Sequence, residues 1–478
     1  MATRAAASPR RSAVLAAALS FVLPGLGQGW LGDFRRGLTL AMPVLLLIGF
    51  ALGVVVFQGR ARALGLLVQP GVLIALLILN AGLLAWRVGA IVDAWRLARR
   101  TSPHVVAASR TREVAAATAL AVLLAATLGM HVGLGFLGYK TYDTITTVFA
   151  TPEPSPSPTP AGATDPSVTP EPSLAPTPVP IWSNDGRLDM LLVGADAGFG
   201  RTSLRTDTMI LLSVDMATGR AAMFGIPRNL MNVPLPEAAA AAFPACGCFP
   251  DFLSGLWRYA SENPQWFPGG ESRGYLALQD AISGMTGRQV DGMLVVTLQG
   301  FVDLVDELGG LDIYTPYSLY DAMYPHENGR RHEVLWIPAG QHHLDGHNAL
   351  AFARSRNQDT DYDRMWRQQL VLTSLRQQLD PCTLITRIPQ LLDIARDSLW
   401  TNIPIEQLPD LLNLAARVKT DKIARYQFWP PDIHENLDAE SIALIRQMVA
   451  DAFPPISSAS PGASASAAPT PALPDPGC

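Results

Sequence analysis

The sequence predicts a mixed α/β domain, in which helices flank a sheet, preceded by an α-helical membrane region. Of the 478 residues, 49% are hydrophobic and only 16% are charged, which is too apolar for one ordinary soluble domain. Between residues 187 and 315, short apolar runs alternate with turn residues and with one helical pattern, as in mixed α/β domains. The net charge of −5 provides no basic surface, so the sequence argues against a nucleic-acid partner.

Residues 1–140 contain four apolar segments and predict a multi-span membrane region, because a spanning helix needs about 20 apolar residues. The segments run from Ser12 to Trp30, from Gly37 to Gln58, from Leu64 to Val92 and from Val114 to Tyr139. The motif PGLGQG interrupts the first segment, which we interpret as a short or re-entrant hairpin. A cleaved signal peptide is less favoured, since further apolar segments follow without a small-residue cleavage site. A small transporter is also disfavoured, because no acidic pair or repeat indicates a midplane site.

Arginines predict the orientation of these segments. Arg4, Arg10 and Arg11 precede the first segment, and five arginines lie between residues 96 and 112, directly before the last. Because positively charged loops stay on the cytoplasmic side, we expect the last segment to run outward. Everything after it would then lie on the extracellular side of the cytoplasmic membrane: a linker rich in Pro, Ser and Thr (141–186), a domain (187–453) and a disordered tail (454–478).

The domain begins with three predicted strands, RLDMLLVGAD, TDTMILLSVD and RAAMFGIPRN, and later reads strand, helix and strand in VDGMLVVTLQGFVDLVDELGGLDIYTP. We expect the second and third strands to form a hairpin around Gly219 and the first to run antiparallel to the second. This arrangement brings Asp196, Arg205, Asp207 and Arg228 to one end of the sheet. Such a group would suit Mg²⁺ or Mn²⁺ with substrate phosphates as further ligands. Each residue taken alone is an ordinary loop residue.

The stretch ARSRNQDTDYDRMWRQQ, residues 353 to 369, concentrates charges of both signs. Asp361 or Asp363 is expected to cap a helix that continues over residues 364–379 and stops before Pro381. The segment before it, GHNALAFARSR, is predicted to be a short helix that ends at Arg354 and Arg356. These features predict an anion site at the amino terminus of the longer helix, where backbone N–H groups and the helix dipole favour negative charge.

The longer helix combines a polar end with an apolar body. Arg364 and Gln368 share one face because they are four residues apart. The apolar stripe is formed by Val371, Leu372 and Leu375. The stripe is interpreted either as core or as the wall of a lipid tunnel. The ligand that this helix predicts has a charged head and an apolar tail, against the alternative of a solvated face with weak surface ion pairs.

Cysteines and histidines do not indicate a zinc site. The cysteines are Cys246, Cys248, Cys382 and Cys478. Their spacing matches no zinc motif, and Cys246 and Cys248 are expected to be too close to bridge each other without strain. A disulfide between Cys248 and Cys382 is conceivable outside the cell. The motif GQHHLDGH, with His342, His343 and His347, contains a helical i, i+4 pair but no matching carboxylate motif.

Six motifs in this order resemble the LytR-CpsA-Psr family of bacterial envelope enzymes: VGAD with RTDTMILLSVD, IPRN, FVDLVDELGGLDI, LDGHNALAFARSR and DYDRMWRQQLVL. The resemblance covers about residues 189–379 and extends weakly through SLWTNIPIEQLPDLL. It implies a phosphotransferase that moves a glycopolymer from a polyprenyl-pyrophosphate carrier to a cell-wall acceptor, usually a peptidoglycan sugar hydroxyl. It also implies an apolar tunnel for the lipid chain and, as a candidate side activity, pyrophosphate hydrolysis.

The resemblance implies a role for each matching residue. The metal, Mg²⁺ or Mn²⁺, would be held by Asp196 and Asp207. The pyrophosphate would be bound by Arg205, Arg228, Arg354 and Arg356. Asp361, Arg364 and Gln368 match the family pattern D-x-x-R-x-x-x-Q and would complete the phosphate site. Either Asp361 or Asp207 would accept the proton of the acceptor hydroxyl, and Arg367 lies on a different helical face.

Two departures from the family pattern keep a second function open. Asn229 stands where the family commonly reads Asp, which removes a negative charge near the metal site. SGLWRYA stands where the family usually carries a phosphate-binding Lys, and Arg258 is the candidate substitute. The alternative is therefore a non-catalytic envelope protein that binds lipid-linked glycan or regulates its assembly.

Overall fold

The computed structural model describes residues 12–101, 110–149, 186–196, 206–325, 332–358, 360–379, 386–415, 417–418 and 423–453. Within these ranges the chain divides into two compact units, residues 1–145 and residues 146–478. Arg205, most of the predicted linker and the predicted tail lie outside the described residues, as do Cys382 and Cys478.

The amino-terminal unit is helical. Its helices are α1 (Ala13–Val22), α2 (Leu26–Trp30), α3 (Phe34–Gln58), α4 (Arg60–Leu67), α5 (Pro70–Thr101) and α6 (Arg110–Val148), the last of which continues into the second unit. Among the described residues, three helices are long and apolar enough to cross a membrane: α3, α5 and α6. The predicted first segment instead forms the short helices α1 and α2. This part of the chain thus carries candidate membrane anchors, as its composition predicts.

The motif PGLGQG lets α1 and α2 pack closely. A side-chain carbon at Gly27 would lie 2.0 Å from the carbonyl oxygen of Ala16 in α1. Gly25, which has a φ of 97°, packs equally closely against Gly37 of α3. The side chain of Gln28 is fully buried and donates hydrogen bonds to Ala90 O and to Asp93 Oδ2, both at 3.0 Å. Buried amides need such partners, so these contacts fix the hairpin against α5.

The second unit is built on a six-stranded mixed sheet. Its strands, in spatial order, are β11 (Leu399–Thr401), β6 (Gly292–Thr297), β1 (Arg187–Ala195), β2 (Thr206–Asp215), β3 (Ala221–Gly225) and β12 (Ile423–Gln427). β1 is antiparallel to β2 and parallel to β6, while β3 is antiparallel to β2 and parallel to β12. Gly219 has a φ of 69° in the turn between β2 and β3. The predicted fold class, strand directions and hairpin are therefore confirmed.

Helices and smaller sheets surround this sheet. The helices are α7 (Glu237–Ala240), α8 (Leu256–Glu262), α9 (Arg273–Thr286), α10 (Leu298–Glu307), α11 (Gly346–Arg354), α12 (Asp361–Gln378), α13 (Ile388–Ser398), α14 (Leu408–Ala415) and α15 (Ala439–Asp451). The paired strands are β4 (Val233–Pro234) with β5 (Cys248–Phe249), β7 (Leu311–Thr315) with β10 (Gly340–Leu344), and β8 (Leu319–Pro325) with β9 (His332–Ile337). The short 3₁₀ helices are Leu253–Gly255, Gly270–Ser272 and Ile405–Gln407.

Two hydrophobic clusters hold these layers together. In one, β1, β2 and β3 pack against α9 and α15 through side chains such as Leu211, Phe224 and Ile282. In the other, the β7/β10 and β8/β9 pairs pack against α10, α11 and the middle of α12. Each fully buried aliphatic or aromatic side chain contributes about 1.5–3 kcal/mol relative to exposure. The second cluster anchors α12, whose first turn is polar.

Two predictions about cysteines and histidines are wrong. Cys246 and Cys248 form a disulfide, with Cα atoms 5.1 Å apart across a tight turn, a separation inside the usual range for a bridge. His342 and His343 lie on strand β10 rather than on a helix, so His343 and His347 do not form a helical pair. No group of three or more His, Cys, Asp or Glu side chains within the described ranges could hold a metal on its own.

Candidate functional site

The candidate site lies at the end of the sheet where β1 finishes and β2 starts. Ala195 pairs with Thr206, so Asp196 follows one strand and Asp207 opens the other at the same edge. β3 runs antiparallel to β2 and leads through Pro227 into Arg228. The predicted convergence of Asp196, Asp207 and Arg228 is confirmed, and Arg205 lies outside the described residues.

The first turn of α12 completes this edge, but its cap differs from the prediction. Thr360 is the N-cap, and its hydroxyl accepts a hydrogen bond from the backbone N–H of Asp363 at 3.3 Å. Asp363 Oδ2 in turn accepts a hydrogen bond from the backbone N–H of Thr360 at 3.0 Å, which completes a capping box. The hydrogen bond from the Thr360 hydroxyl lowers the pKa of Asp363. Since Asp363 serves the cap, Asp361 is left to face the arginines.

Asp361 is the centre of an ion-pair network. Its Oδ1 lies 3.2 Å from Arg356 Nη1 and 3.4 Å from Arg364 Nη1. Its Oδ2 lies 3.6 Å from Arg228 Nε. Arg228 also contacts Asp207, with 2.6 Å between Nη1 and Oδ1. Three guanidinium groups thus share two carboxylates at this edge.

Arg364 is the most deeply buried of these cations, with 4% of its surface exposed. Its Nη2 donates a hydrogen bond of 3.4 Å to the backbone oxygen of Asp207, whereas its buried Nε has no hydrogen-bond partner in the part of the chain that the structure describes. Burial lowers the pKa of Arg364 to about 10 against the opposing effect of Asp361, and the charges of Arg228 and Arg356 lower it further. The group stays charged at neutral pH, and it shares its carboxylate partner, Asp361, with Arg228 and Arg356.

A second set of contacts fixes the segment that carries Arg354 and Arg356. Ser355 lies between them, and its hydroxyl donates a hydrogen bond of 2.8 Å to Asp321 Oδ2. Arg367 is fully buried and donates hydrogen bonds from Nε to Phe352 O at 2.7 Å and from Nη2 to Ser355 O. The prediction that Arg367 lies on a different helical face from Arg364 is confirmed. Its side chain holds the backbone of the segment that carries Arg354 and Arg356.

These groups line a cavity of about 560 Å³. The lining residues are Asp207, Thr208, Arg228, Leu298, Asp321, Met323, Tyr324, Pro325, Arg354, Ser355, Arg356, Asn357, Asp361, Arg364 and Gln368. Seven predicted site residues are thus brought to one cavity. Among the residues that line the cavity, four guanidinium groups and three carboxylates leave a net positive charge of one. Asp196 contacts the site through Arg354, with 3.9 Å between Oδ2 and Nη2.

Sequence reasoning missed Asp321 as a member of this site. It is 4% exposed, and its Oδ1 also accepts a hydrogen bond of 3.0 Å from the backbone N–H of Met323. The available signal was an acidic residue inside the apolar strand SLYDAMYP, since a carboxylate is rarely fully buried without partners. Asp321 acts by holding Ser355 and therefore the two flanking arginines.

The apolar stripe of α12 packs into the protein core. Val371 is buried in the cluster with Phe352, and Leu375 packs against the same cluster. Of the two interpretations of the stripe, core packing is the one observed for these two side chains. The apolar part of the cavity wall comes from elsewhere, namely Leu298, Met323 and Pro325. A tunnel for a lipid chain stays a prediction.

The donor set fits a hard divalent cation that is held jointly with a substrate. Mg²⁺ is commonly bound by one or two carboxylates while phosphate oxygens and water supply the other ligands. Asp207 and Asp361 provide carboxylates on the cavity wall, and Asp196 lies beside Arg354. A third protein ligand is therefore not required, and the cation stays a prediction.

The two departures from the family pattern have distinct surroundings. Asn229 Nδ2 donates a hydrogen bond of 2.6 Å to Glu435 Oε1, which also accepts one of 3.3 Å from the Tyr362 hydroxyl. Burial raises the pKa of Tyr362 to about 12, and the Glu435 carboxylate adds to this effect. A carboxylate is thus retained near position 229, on Glu435. Arg258 lies 3.3 Å from Glu262 and lines a neighbouring cavity rather than the one around Arg364.

Comparison with known proteins gives a family match. The sequence profile of the LytR_cpsA_psr family matches residues 161–444, which is more than half of the chain. The chain is 31% identical over 120 residues to the polyisoprenyl-teichoic acid–peptidoglycan teichoic acid transferase TagV of Bacillus subtilis, covering 25% of this chain and 30% of TagV. It is 25% identical over 246 residues to biofilm regulatory protein A of Streptococcus mutans, covering 50% of this chain and 55% of that protein.

The structural comparison is more distant. The crystal structure of B. subtilis TagV aligns with a TM-score of 0.41 and 21% identity, covering 56% of this chain and 96% of TagV. In sequence, the chain matches about a third to about half of the length of the two relatives. The family profile extends across the sheet, Arg228 and α12, and so includes the whole site. This chain belongs to the LytR_cpsA_psr family.

Proposed function

We propose that this protein transfers a glycopolymer from a polyprenyl-pyrophosphate carrier to a sugar hydroxyl of peptidoglycan, on the outer side of the membrane. The observation that carries the proposal is the buried guanidinium of Arg364, whose Nε has no partner among the described residues, beside Arg228 and Arg356. A cavity with one surplus positive charge and two or more guanidinium forks is suited to a diphosphate, which arginine binds bidentately.

The chemistry asks mainly for positioning and neutralisation of charge, because the transition state of phosphoryl transfer is loose. The acceptor oxygen forms a bond to the phosphorus that carries the glycan, and the bond from that phosphorus to the bridging oxygen breaks. Polyprenyl phosphate leaves with the electron pair of that bond. The arginines stabilise negative charge on both the transferred and the leaving phosphate.

A carboxylate at the site would take the proton from the acceptor hydroxyl. Asp207 and Asp361 both line the cavity, and each contacts Arg228, so each is within reach of a phosphate held by that arginine. When bound, Mg²⁺ or Mn²⁺ would supply further neutralisation of phosphate charge, held by Asp207 with Asp196 or Asp361. Gln368 donates a hydrogen bond of 3.3 Å to Ala353 O and orients the segment before Arg354.

The membrane region would hold the site next to a carrier that stays in the lipid. We infer that α3, α5 and α6 span the cytoplasmic membrane, with the arginines between residues 96 and 112 on the cytoplasmic side. Helix α6 then runs outward and leads to the second unit on the extracellular side. The peptidoglycan acceptor lies on that side as well.

The test uses the full chain in detergent micelles with a lipid-diphosphate-linked glycan, a peptidoglycan oligosaccharide and either Mg²⁺ or EDTA. Arg228→Ala is expected to reduce the rate of transfer by about 10²-fold, since it removes a group that stabilises developing charge. Arg220→Ala is the matched control. Arg220 is an exposed arginine directly before the first residue of β3, whereas Arg228 follows the last residue of that strand. Equal activity of the two variants would contradict the proposal.

The non-catalytic alternative is supported by Asn229, whose amide contacts Glu435 where the family commonly carries a carboxylate. The same experiment separates the two functions. Under the alternative, the wild-type chain binds the lipid-linked glycan and Arg228→Ala weakens that binding, but no glycan reaches the acceptor with Mg²⁺ or Mn²⁺ present.

A further inference from the structure

A second cavity, of about 400 Å³, lies next to the phosphate site. The proposed transfer assigns no part of either substrate to it. Its lining residues are Arg228, Asn229, Phe249, Asp251, Phe252, Ser254, Gly255, Arg258, Tyr259 and Glu262. Arg228 lines both cavities. The second cavity therefore opens beside the same guanidinium that contacts Asp207 and Asp361.

The wall of this cavity is held rigidly to the exit of β3. The backbone N–H of Ser254 donates a hydrogen bond of 3.0 Å to Arg228 O, and that of Leu253 donates one of 2.8 Å to Leu230 O. The ring of Tyr259 lies 5.5 Å from that of Phe249, within an aromatic cluster. Backbone hydrogen bonds and buried rings on one side make a preformed surface, which is typical of small-ligand sites.

The chemistry of the lining favours a sugar over the other parts of the substrates. Phe252 is 48% exposed and offers a ring face against which the C–H face of a pyranose can stack. Asp251 and Glu262 add carboxylate acceptors for sugar hydroxyls and also oppose binding of a diphosphate. A lipid chain is disfavoured, because the charged Arg258 and both acids would lose their hydration against it.

The position of the cavity favours the acceptor over the donor. In phosphoryl transfer, the attacking and leaving oxygens lie roughly in line on opposite sides of the phosphorus. Arg228 lines both cavities, so a diphosphate that this arginine binds in the larger cavity would lie next to the second cavity. An acceptor held there would present its hydroxyl next to the phosphate that Arg228 binds, as an attack in line with the leaving oxygen requires.

We propose that the second cavity binds a sugar ring of the acceptor glycan, with Phe252 as its stacking surface. This assignment rests on the transfer reaction proposed above, and it adds the site at which the acceptor is recognised. The ion pair of Arg258 and Glu262 lies at the rim, with half-exposed side chains, and can open to hydrogen-bond sugar hydroxyls at small cost.

The test compares Phe252→Ala with Phe252→Tyr in the full chain in detergent micelles, with a lipid-free, peptide-free peptidoglycan oligosaccharide as the probe. Trp266→Ala is the matched control, because Trp266 is also a partly exposed aromatic residue but does not line the cavity. Calorimetric titration gives the Kd for the oligosaccharide, and steady-state assays give separate KM values for acceptor and donor.

Phe252→Ala is expected to raise both the Kd for the oligosaccharide and the acceptor KM about tenfold, as the loss of one stacking contact predicts, and to leave the donor KM unchanged. Phe252→Tyr and Trp266→Ala are expected to stay within about twofold of the wild type. A rise in the donor KM alone would overturn the assignment to the acceptor. An oligosaccharide that does not bind, or that binds Phe252→Ala as well as the wild type, would overturn the sugar site itself.

These outcomes separate the inference from the proposed function. If the wild-type chain transfers glycan but Phe252→Ala has wild-type kinetics, the assignment of the acceptor to this cavity is wrong and the proposed transferase activity is retained. If binding of the oligosaccharide depends on Phe252 but no transfer occurs with Mg²⁺ or Mn²⁺, the assignment of the glycan site is retained and the proposed transferase activity is wrong.

Discussion

Two clusters of aspartate and arginine lie at opposite ends of the same strand pair, β1 and β2, and they are built differently. At one end, Asp189 is fully buried, and its Oδ2 contacts Arg288 twice, at 2.9 Å from Nε and 2.8 Å from Nη2. At the other end, Asp207 and Asp361 share three arginines around a cavity, at distances that range from 2.6 to 3.6 Å. The first cluster is a matched pair, and the second carries excess positive charge.

The difference indicates which end stabilises the fold and which end binds a ligand. At the buried pair, one arginine is matched by one carboxylate, so the charges balance, although Asp189 Oδ1 is buried without a hydrogen-bond partner among the described residues. At the cavity, a guanidinium nitrogen of Arg364 is buried without a hydrogen-bond partner among the described residues, and the pKa of that side chain is lowered by burial. An entering phosphate would supply an acceptor for this nitrogen and further negative charge beside Asp361. We expect mutations at the two ends to separate stability from activity.

The largest expected effect is on stability at the matched pair. Asp189→Ala leaves the charge of Arg288 at the edge of the core and is expected to lower the free energy of unfolding by about 3 kcal/mol. Asp207→Ala removes a partly exposed partner of Arg228, which keeps Asp361, so the expected loss is below about 1 kcal/mol. Urea denaturation of the full chain, followed by tryptophan fluorescence, measures both. Equal losses would remove the distinction between the two ends.

The next effect is on activity at the cavity. Arg364→Ala is expected to lower the rate of transfer by about 10²- to 10³-fold, because it deletes a buried cation aimed at the phosphate. Arg376→Ala is the control on the same helix, since Arg376 is exposed in the last turn of α12. Thermal unfolding of each variant, recorded in the same buffer, shows whether lost activity reflects lost folding. An Arg364→Ala variant that folds and transfers glycan at the wild-type rate would contradict the proposed role of Arg364 in stabilising the phosphate.

Much of the fold follows from local patterns in the sequence. The strands around Gly219 are short apolar runs on either side of a turn, and the glycine takes the positive φ that the turn requires, so strand order and direction were predictable there. The positions of Asp207 and Arg228 at one edge follow from that hairpin. The same local reasoning placed Arg354 and Arg356 at the end of a short helix.

The remaining features depend on contacts between distant segments. The two acids near the start of α12 are equally good caps by residue type, and the preference for Thr360 depends on its β-region backbone and on the reciprocal bond with Asp363. Glu435 reaches Asn229 across more than 200 residues, and Asp321 reaches Ser355 across a β-hairpin. A bridge between Cys246 and Cys248 depends on a turn that spacing alone does not specify.

A smaller effect tests whether Glu435 replaces the missing acid at position 229. Asn229→Asp would place a second carboxylate where Nδ2 now lies 2.6 Å from Glu435, and we expect it to lower the free energy of unfolding by about 1–2 kcal/mol. Asn229→Asp with Glu435→Gln restores one donor and one acceptor, so the double variant should recover most of that loss. Urea denaturation of the four chains gives the coupling energy. Additive effects would show that the two positions are independent.

The smallest effect concerns one exposed ion pair, between His343 and Asp312, that belongs to neither cluster. His343 Nδ1 lies 2.7 Å from Asp312 Oδ1, and this hydrogen bond raises the pKa of His343 above 6.5, against the opposing effect of burial. Because the folded pKa is raised, the stability from this contact is fully present below pH 6.5 and is lost as the pH rises through the folded value. Histidine-selective NMR should show the His343 titration midpoint falling in Asp312→Asn. An unchanged midpoint would show that the contact carries no charge-dependent energy, in contrast to both clusters at the ends of the sheet.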